Sequence, residues 1–431
     1  MTKAIKKNIV ILKKGNVCYG STSYFANRLN EEFVRAGIKS AVVEINSKEA
    51  ALEFVEKYVG LKEVSDIIDF NTDIYSYVFE RENSEDNKEK YIFDIKNDRS
   101  GYINLWHVIL DHPLYHNSVL KTKLQNLKVV CLDETHADYI RKHYNHIRKV
   151  CVMPLPADTA KNLIPYNERS REVIFTGTYT SSEDVVALAM KSGEIGMAIF
   201  KKMADYLLNN PQATIENAFD NAIYIKEKAF ENAIHKKEKA FDNVIYENDE
   251  ISEKNYADKL ELNFMADMFI RAVIREELLM EMLRNGIDVD IFGHGWEKFV
   301  EKCRSIEKRD GEFKGKINIC GEAEYEKLPE IYADSKIALN VLPWFKAGQH
   351  DRIALAMCNG CVCVSDDSDY LEKNFTDGEN IFMYSLEDMG EAAKLVKSLK
   401  AQPFEAAKAA AKGYACAIHN LSFKTYSKLF L

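Results

Sequence analysis

Strand and helix patterns alternate along this chain in two successive runs, and the second run starts after a proline-rich break at Pro154-Leu155-Pro156. The first run reads as strands at Asn8–Leu12, Ser40–Ile45, Asp66–Phe70, Leu105–Leu110, Val129–Leu132 and Val150–Met153. Helical patterns lie between them at Tyr24–Ala36, Ala50–Tyr58 and His136–Tyr144. The second run gives strands at Glu172–Phe175, Val289–Phe292, Ile337–Leu342 and Cys361–Val364, with a helix at Glu324–Ala333 and another opening near Asp351. Strands separated by helices build parallel sheets. Two such runs in 431 residues, 46% of them apolar, predict two α/β domains, each with its own core. The division falls at 1–156 and 157–414, with a C-terminal helix at about 415–431 that crosses back onto the first domain.

Between Ser182 and Asn285 the strands stop, and the chain reads as helix throughout. This long insertion, about 182–285, contains a repeat of 11 residues beginning at Ala218, Ala229 and Ala240. Eleven residues span three helical turns, so Phe219, Phe230 and Phe241 share a face with Ile223, Ile234 and Ile245. The face over 218–250 suits packing on its own domain, a homodimer, or another partner protein. Further along, Arg271 and Arg275 lie four apart on one face of the strong helix that ends at Gly286.

Charge and composition narrow the function. A net charge of −9 and an isoelectric point near 5.7 disfavour a nucleic-acid surface, which requires a basic stripe. No apolar run is long enough for a transmembrane helix. The first apolar run is short and lacks a cleavage signal, so it reads as a strand and the protein as cytoplasmic. Scattered cysteines fit buried thiols of a reducing compartment, and Cys358-x-x-Cys361 has no second pair to complete a metal site.

Loops at the carboxyl ends of parallel strands are where such sheets bind ligands. Several carry chemistry. The loop before Asp351 opens a helix, whose first N–H groups and dipole favour a phosphate. Gly348, Gln349, His350, Asp351 and Arg352 are therefore expected at a diphosphate, with Arg352 as the charged fork. Gly293, His294, Gly295 and Trp296 follow another strand, as do Gly177, Thr178 and Tyr179; glycines there permit close backbone approach. Asn340 ends a further strand. In the first half, Tyr19, Gly20 and Ser21 link the first strand to the first helix. The run from His107 to His116 delivers Asp111 and His112 to a strand end stopped by Pro113, where either can take a proton from a substrate hydroxyl. Strand alternation splits His107, Asp111, His112 and His116 between two faces, which disfavours zinc.

The second half resembles the donor-sugar domain of GT-B glycosyltransferases. Within the glycosyl transferases group 1 superfamily it is most similar to the group named for the spore maturation protein CgeB. The likeness rests on Phe292-Gly293-His294-Gly295-Trp296, Gly321, Leu328-Pro329-Glu330-Ile331-Tyr332, Ala338-Leu339-Asn340, and Arg352 with Ala356-Met357 and Gly360. It covers roughly 265–395. One position departs: Leu355 stands where the family has a glutamate that contacts the donor. A leucine accepts no hydroxyl hydrogen bond, so either Asp351, Asp366 or Asp367 replaces it, or the donor is held differently, or the activity is lost.

The resemblance implies two Rossmann-like domains facing across a cleft, the GT-B fold, with the helical insertion in the second. It implies a glycosyltransferase that moves a sugar from a nucleotide diphosphate sugar to a protein or glycan acceptor, with no other cofactor. The acceptor setting implied is bacterial surface-structure or protein glycosylation. The resemblance implies a transfer of the hexosyltransferase type, and because Asp288-Val289-Asp290 precedes its strand rather than ending it, the transfer is expected to be metal-independent. The competing readings are a non-catalytic body that binds a partner through the helical repeat, and a sugar-nucleotide epimerase.

Overall fold

The computed structural model describes residues 7–15, 19–59, 64–78, 91–94, 103–223 and 255–431. Twelve strands form two all-parallel sheets of six among these residues. The first sheet contains β1 (Asn8–Lys13), β2 (Lys39–Glu44), β3 (Asp66–Phe70), β4 (Asn104–Val108), β5 (Leu127–Cys131) and β6 (Lys149–Val152), in the order 2-1-3-4-5-6. The second contains β7 (Arg171–Thr176), β8 (Val289–Phe292), β9 (Ile317–Gly321), β10 (Ser335–Leu339), β11 (Val362–Asp366) and β12 (Phe382–Tyr384), in the order 12-11-10-7-8-9. Central strands are buried on both faces, so every residue of β3 and of β11 is buried, the polar Asp66, Asp69, Ser365 and Asp366 included.

Both orders reverse direction once. The first sheet turns between β1 and β3, the second between β7 and β10. These switch points open a crevice at the strands' carboxyl ends. The loop after β1 stands at one switch point, and the loops after β7 and β10 at the other.

The structure shortens some sequence-predicted elements. β10 ends at Leu339, because the Leu342 N–H turns to the Asp366 carboxylate at 3.0 Å and leaves the ladder. The helix expected from Glu324 starts as a 3₁₀ turn at Tyr325–Lys327 and becomes α-helical at Leu328, with Pro329 in its first turn, where a missing N–H costs nothing. The long insertion is broken into several helices. Gly193 takes a left-handed φ of 79°, and Pro211 interrupts the chain after Asn209. Helix resumes over 215–223, then at Tyr256–Glu261 and Met265–Arg284. Most of the 11-residue repeat, and with it the dimer expectation, lies outside the described residues.

Two connections tie the halves together. Beyond Pro403–Asn420, the helix Phe423–Ser427 lies on Ser21–Arg35, with the Phe423 ring 5.9 Å from Tyr24 and 5.8 Å from Phe25. The insertion also reaches the first half: Asn117 donates to Asp258 and Glu261 at 2.6 Å, and Tyr256 stacks flat on His143 at 4.5 Å.

Candidate functional site

A cleft of about 660 Å³ opens between the two sheets. The loops after β1, β3 and β4 form one wall. Those after β7, β8 and β10, with the Met265–Arg284 helix, form the other. Tyr19 joins the walls. It and Gly20 are both left-handed (φ 57° and 75°), which swings the Tyr19 ring outward before the helix begins at Ser21. Its hydroxyl accepts from the His294 N–H at 3.0 Å and shares a 2.8 Å hydrogen bond with Thr178. Its carbonyl accepts from the Tyr325 N–H at 2.9 Å.

Three arginines converge on the wall formed by the second half. Arg352 enters from the first turn of Asp351–Cys358, and its Nη1 donates to the Thr176 carbonyl at 3.0 Å. Arg275 donates to the Thr178 carbonyl at 2.8 Å. Arg271 meets Asp267 at 2.5 Å and donates to the Tyr115 hydroxyl, also at 2.5 Å. The Trp344 ring lies beneath two of them, with Arg271 Cζ at 4.8 Å and Arg275 Cζ at 5.6 Å. Among the described residues, the Nε of each arginine is buried without a hydrogen-bond partner. Burial, together with the like charges of Arg352 and Arg271, pulls the Arg275 guanidinium below its ordinary value against the opposing pull of Asp267 and Asp111. Three clustered cations with donors left over have the charge and the hydrogen-bonding capacity to hold an anion.

Tyr19, Ser21, Asp111, Gly177, Thr178, Gly293, His350, Asp351 and Arg352 all line this cleft. Asp351 is buried at the helix N-terminus and accepts from the Tyr325 hydroxyl. Burial raises its carboxyl, but His350, the Tyr325 hydrogen bond and Arg352 outweigh burial and hold it below the usual carboxylate value. Gly177 and Gly293 bring two loops together: a Cβ on Gly293 would stand 2.0 Å from the Gly177 carbonyl oxygen.

The other residues singled out from the sequence support the cleft from outside it. Trp296 is fully buried and donates to the Gly177 carbonyl at 2.8 Å. Tyr179 stacks on Trp296 and donates to Glu276 at 2.7 Å. Gly295 lies under the Tyr179 carbonyl, and His294 turns to solvent beside Glu322. Asn340 is buried and donates to Ser365 at 2.8 Å. Gln349 is buried behind the loop. Gly348 bridges to Asp133 of the first half, where a Cβ would stand 2.2 Å from the Leu132 carbonyl. Gly20 carries the turn described above.

On the wall formed by the first half, Asp111 and His112 part company. Asp111 faces the cleft and accepts from the Asn71 amide at 3.3 Å. His112 points away. Its Nδ1 accepts from the Leu114 N–H, and its Nε2 meets Glu216 of the insertion at 3.0 Å. Among the described residues no group of three or more His, Cys, Asp and Glu side chains gathers as metal ligands do. Leu355 is fully buried in the core and away from the cleft wall.

Comparison with known proteins follows this geometry. The "Glycosyl transferase-like" family model matches residues 271–425, which include Arg271, Arg275, Arg352 and the strands β8–β12. No curated protein sequence matches the chain. Among solved structures, a sucrose-phosphate synthase from Thermosynechococcus elongatus superposes with a TM-score of 0.53 at 9% identity, covering 98% of this chain and 97% of that one. A glycosyltransferase from Rickettsia africae gives 0.53 at 10% identity, over 99% and 97%. An alpha-glucosyltransferase solved with UDP and a 13-mer DNA gives 0.54 at 10% identity, over 99% of each. Two parallel six-stranded sheets facing across a cleft, matched from end to end, define a GT-B fold. Its second half carries the glycosyl transferase-like sequence signature.

Proposed function

We propose that this chain is a glycosyltransferase that moves a sugar from a nucleotide diphosphate sugar to a protein or glycan acceptor. The observation that carries the reading is the trio Arg271, Arg275 and Arg352, which crowds three guanidiniums around one cleft and leaves an Nε on each unpartnered. A diphosphate fits this arrangement. It supplies the missing negative charge, and its oxygens accept forked hydrogen bonds that a lysine would not match. The N-terminus of Asp351–Cys358 points the same way.

Charge develops on the leaving diphosphate as the sugar's C1–O bond breaks. Fixed cations in a water-poor cleft favour that state over the ground state. The arginines fill the role a divalent metal has elsewhere, so the transfer proceeds without one. Asp351 takes the place of the family glutamate as the acidic group near the donor, while Asp111 on the opposite wall accepts from a neighbouring, non-reacting hydroxyl of the acceptor and so orients it. The acceptor setting is bacterial surface-structure or protein glycosylation inside the cell.

A thermal-shift series with UDP-, GDP-, TDP- and CMP-sugars, with and without EDTA, tests the reading. A ligand held only by the folded state raises the melting temperature. One nucleotide family should do so, equally with EDTA present. No rise with any of them overturns the proposal, and a rise abolished by EDTA overturns metal independence.

A further inference from the structure

Behind the acceptor-side wall, three side chains run in a line from the sheet interior to the cleft. Asp69 and His107 are register partners on β3 and β4, so both project from the same face. Asp69 Oδ2 lies 2.7 Å from His107 Nδ1, and His107 Nε2 lies 3.0 Å from His116 Nδ1. Asp69 and His107 are wholly buried, and His116 is nearly so. The Thr72 hydroxyl donates to the other Asp69 oxygen. His116 lines the cleft and also a side pocket of about 300 Å³ that shares Thr22, Asn71 and Tyr115 with it. Among the described residues, the Thr22 hydroxyl there is buried without a partner.

Chemistry fixes the direction of this chain. A carboxylate only accepts, so His107 carries a hydrogen on Nδ1. A neutral imidazole has one donor and one acceptor nitrogen. His107 Nε2 is then a lone pair, and it accepts from His116 Nδ1–H. That leaves His116 Nε2 as a lone pair, free to accept from a ligand hydroxyl.

We propose that His116 takes the proton of the acceptor hydroxyl, and that Asp69 and His107 fix its tautomer and carry the charge away. The inference rests on the transferase reading. As the hydroxyl oxygen attacks C1 of the donor sugar, its proton moves to His116 Nε2, and the proton on His116 Nδ1 moves to His107 Nε2. The C1–O bond to the diphosphate breaks, and its electron pair leaves on the nucleotide among the arginines. His107 ends as an imidazolium paired with Asp69. His116 is a poor resting place for charge: burial and the neighbouring His107 push its pKa down to about 3, with Asp111 opposing. Passing the proton inward places the cation where a carboxylate balances it. Asp111 and His112 are the other titratable groups close to His116, and Lys14 and Asp73 line the side pocket. Asp69 and His107 are positioning residues, and His116 is the catalytic one.

His116→Asn tests the assignment, since asparagine keeps a donor near the Nδ1 position for His107 and has nothing at Nε2. The full chain is assayed for binding of UDP, GDP and TDP, and for hydrolysis of the matching glucose nucleotides with water as acceptor. Nucleotide affinity should stay within about twofold while turnover falls about 10²-fold or more. Asp69→Asn should lower kcat at unchanged KM. Wild-type turnover in His116→Asn overturns the proposal. The ¹⁵N-histidine NMR spectrum at pH 7.5 needs no acceptor and separates the two hypotheses. The resonance lost in His116→Asn should report an Nε2 without hydrogen. A protonated Nε2 overturns the relay, even if nucleotides bind. Failure of every nucleotide to bind removes the transferase reading instead.

Discussion

Arg275→Met separates a binding arginine from a structural one. The substitution removes a buried guanidinium and keeps much of its apolar stem. Arg271 and Arg275 both lie on the Trp344 ring, at 4.8 Å and 5.6 Å from its centre, which holds their Cζ atoms within about 10 Å of each other. At an effective dielectric of about 20, two unit charges at that separation repel by roughly 1.6 kcal/mol; Arg352 adds a further share, and Asp267 and Asp111 offset part of it. Against this relief stand the hydrogen bond to the Thr178 carbonyl, about 1.5–3 kcal/mol, and the stacking on Trp344, about 1 kcal/mol. The two sides nearly balance. Ligand-free stability should therefore change by no more than about 1 kcal/mol, a few degrees in melting temperature at most. Nucleotide binding has no such balance. Losing one partner of a buried charge pair costs about 2–5 kcal/mol, or roughly 30-fold and upward in Kd. Calorimetric titration with the nucleotide identified by thermal shift, beside ligand-free melting of both proteins, measures both quantities. A variant that melts many degrees lower yet binds nucleotide as the wild type does would refute the anion-site argument and make Arg275 a fold residue.

Other perturbations follow from the same geometry. Asp111→Asn keeps shape and removes charge; it should raise the acceptor KM by about tenfold or more, the loss of one charged hydrogen bond, and leave nucleotide affinity intact, as steady-state kinetics and titration would show. Leu355→Glu restores the family residue at a fully buried position, so it should destabilise the fold by several kcal/mol and improve no donor contact, measured by denaturant melts. Glu216 tests the strut between insertion and first half. Burial raises its pKa, but the His112 charge and hydrogen bond outweigh burial and bring it down to about 2. A depressed carboxylate contributes stability above its unfolded value near 4.5, and that contribution disappears as pH falls toward 2. Melting temperature should therefore drop more steeply between pH 5 and pH 2 in the wild type than in Glu216→Gln, and parallel curves would remove the strut.

The fold was legible because its physics is local. Parallel strands buried on both faces give short apolar runs, the intervening helices give a 3.6-residue period, and the proline break separates two such series. Strand-end loops were legible for the same reason, and Tyr19, Asp111, Gly177, Gly293 and Arg352 could be named before any coordinates. Sequence order says little about what a loop meets. Arg271 and Arg275 stood out as an i,i+4 pair, but only the packing of Met265–Arg284 against the β7 loop shows that their common face looks onto Arg352. His112 and Asp111 are adjacent in sequence, and the Pro113 turn sends one to Glu216 and the other to the cleft.

The Asp69–His107–His116 line depends on a β3–β4 register that periodicity does not fix. His107 and His116 are nine residues apart and Asp69 sits on a different strand, so the line exists only after the sheet has paired. The same applies across the cleft. Asp133 caps its own helix through one carboxylate oxygen, and with the other it accepts from the Ala347 N–H at 2.7 Å, in the loop that precedes Arg352. Gly348 lies so close to Leu132 that no side chain fits between them. One half of the molecule thus shapes the loop that leads into Arg352 in the other. A substitution at Gly348 should therefore weaken nucleotide binding without touching the nucleotide.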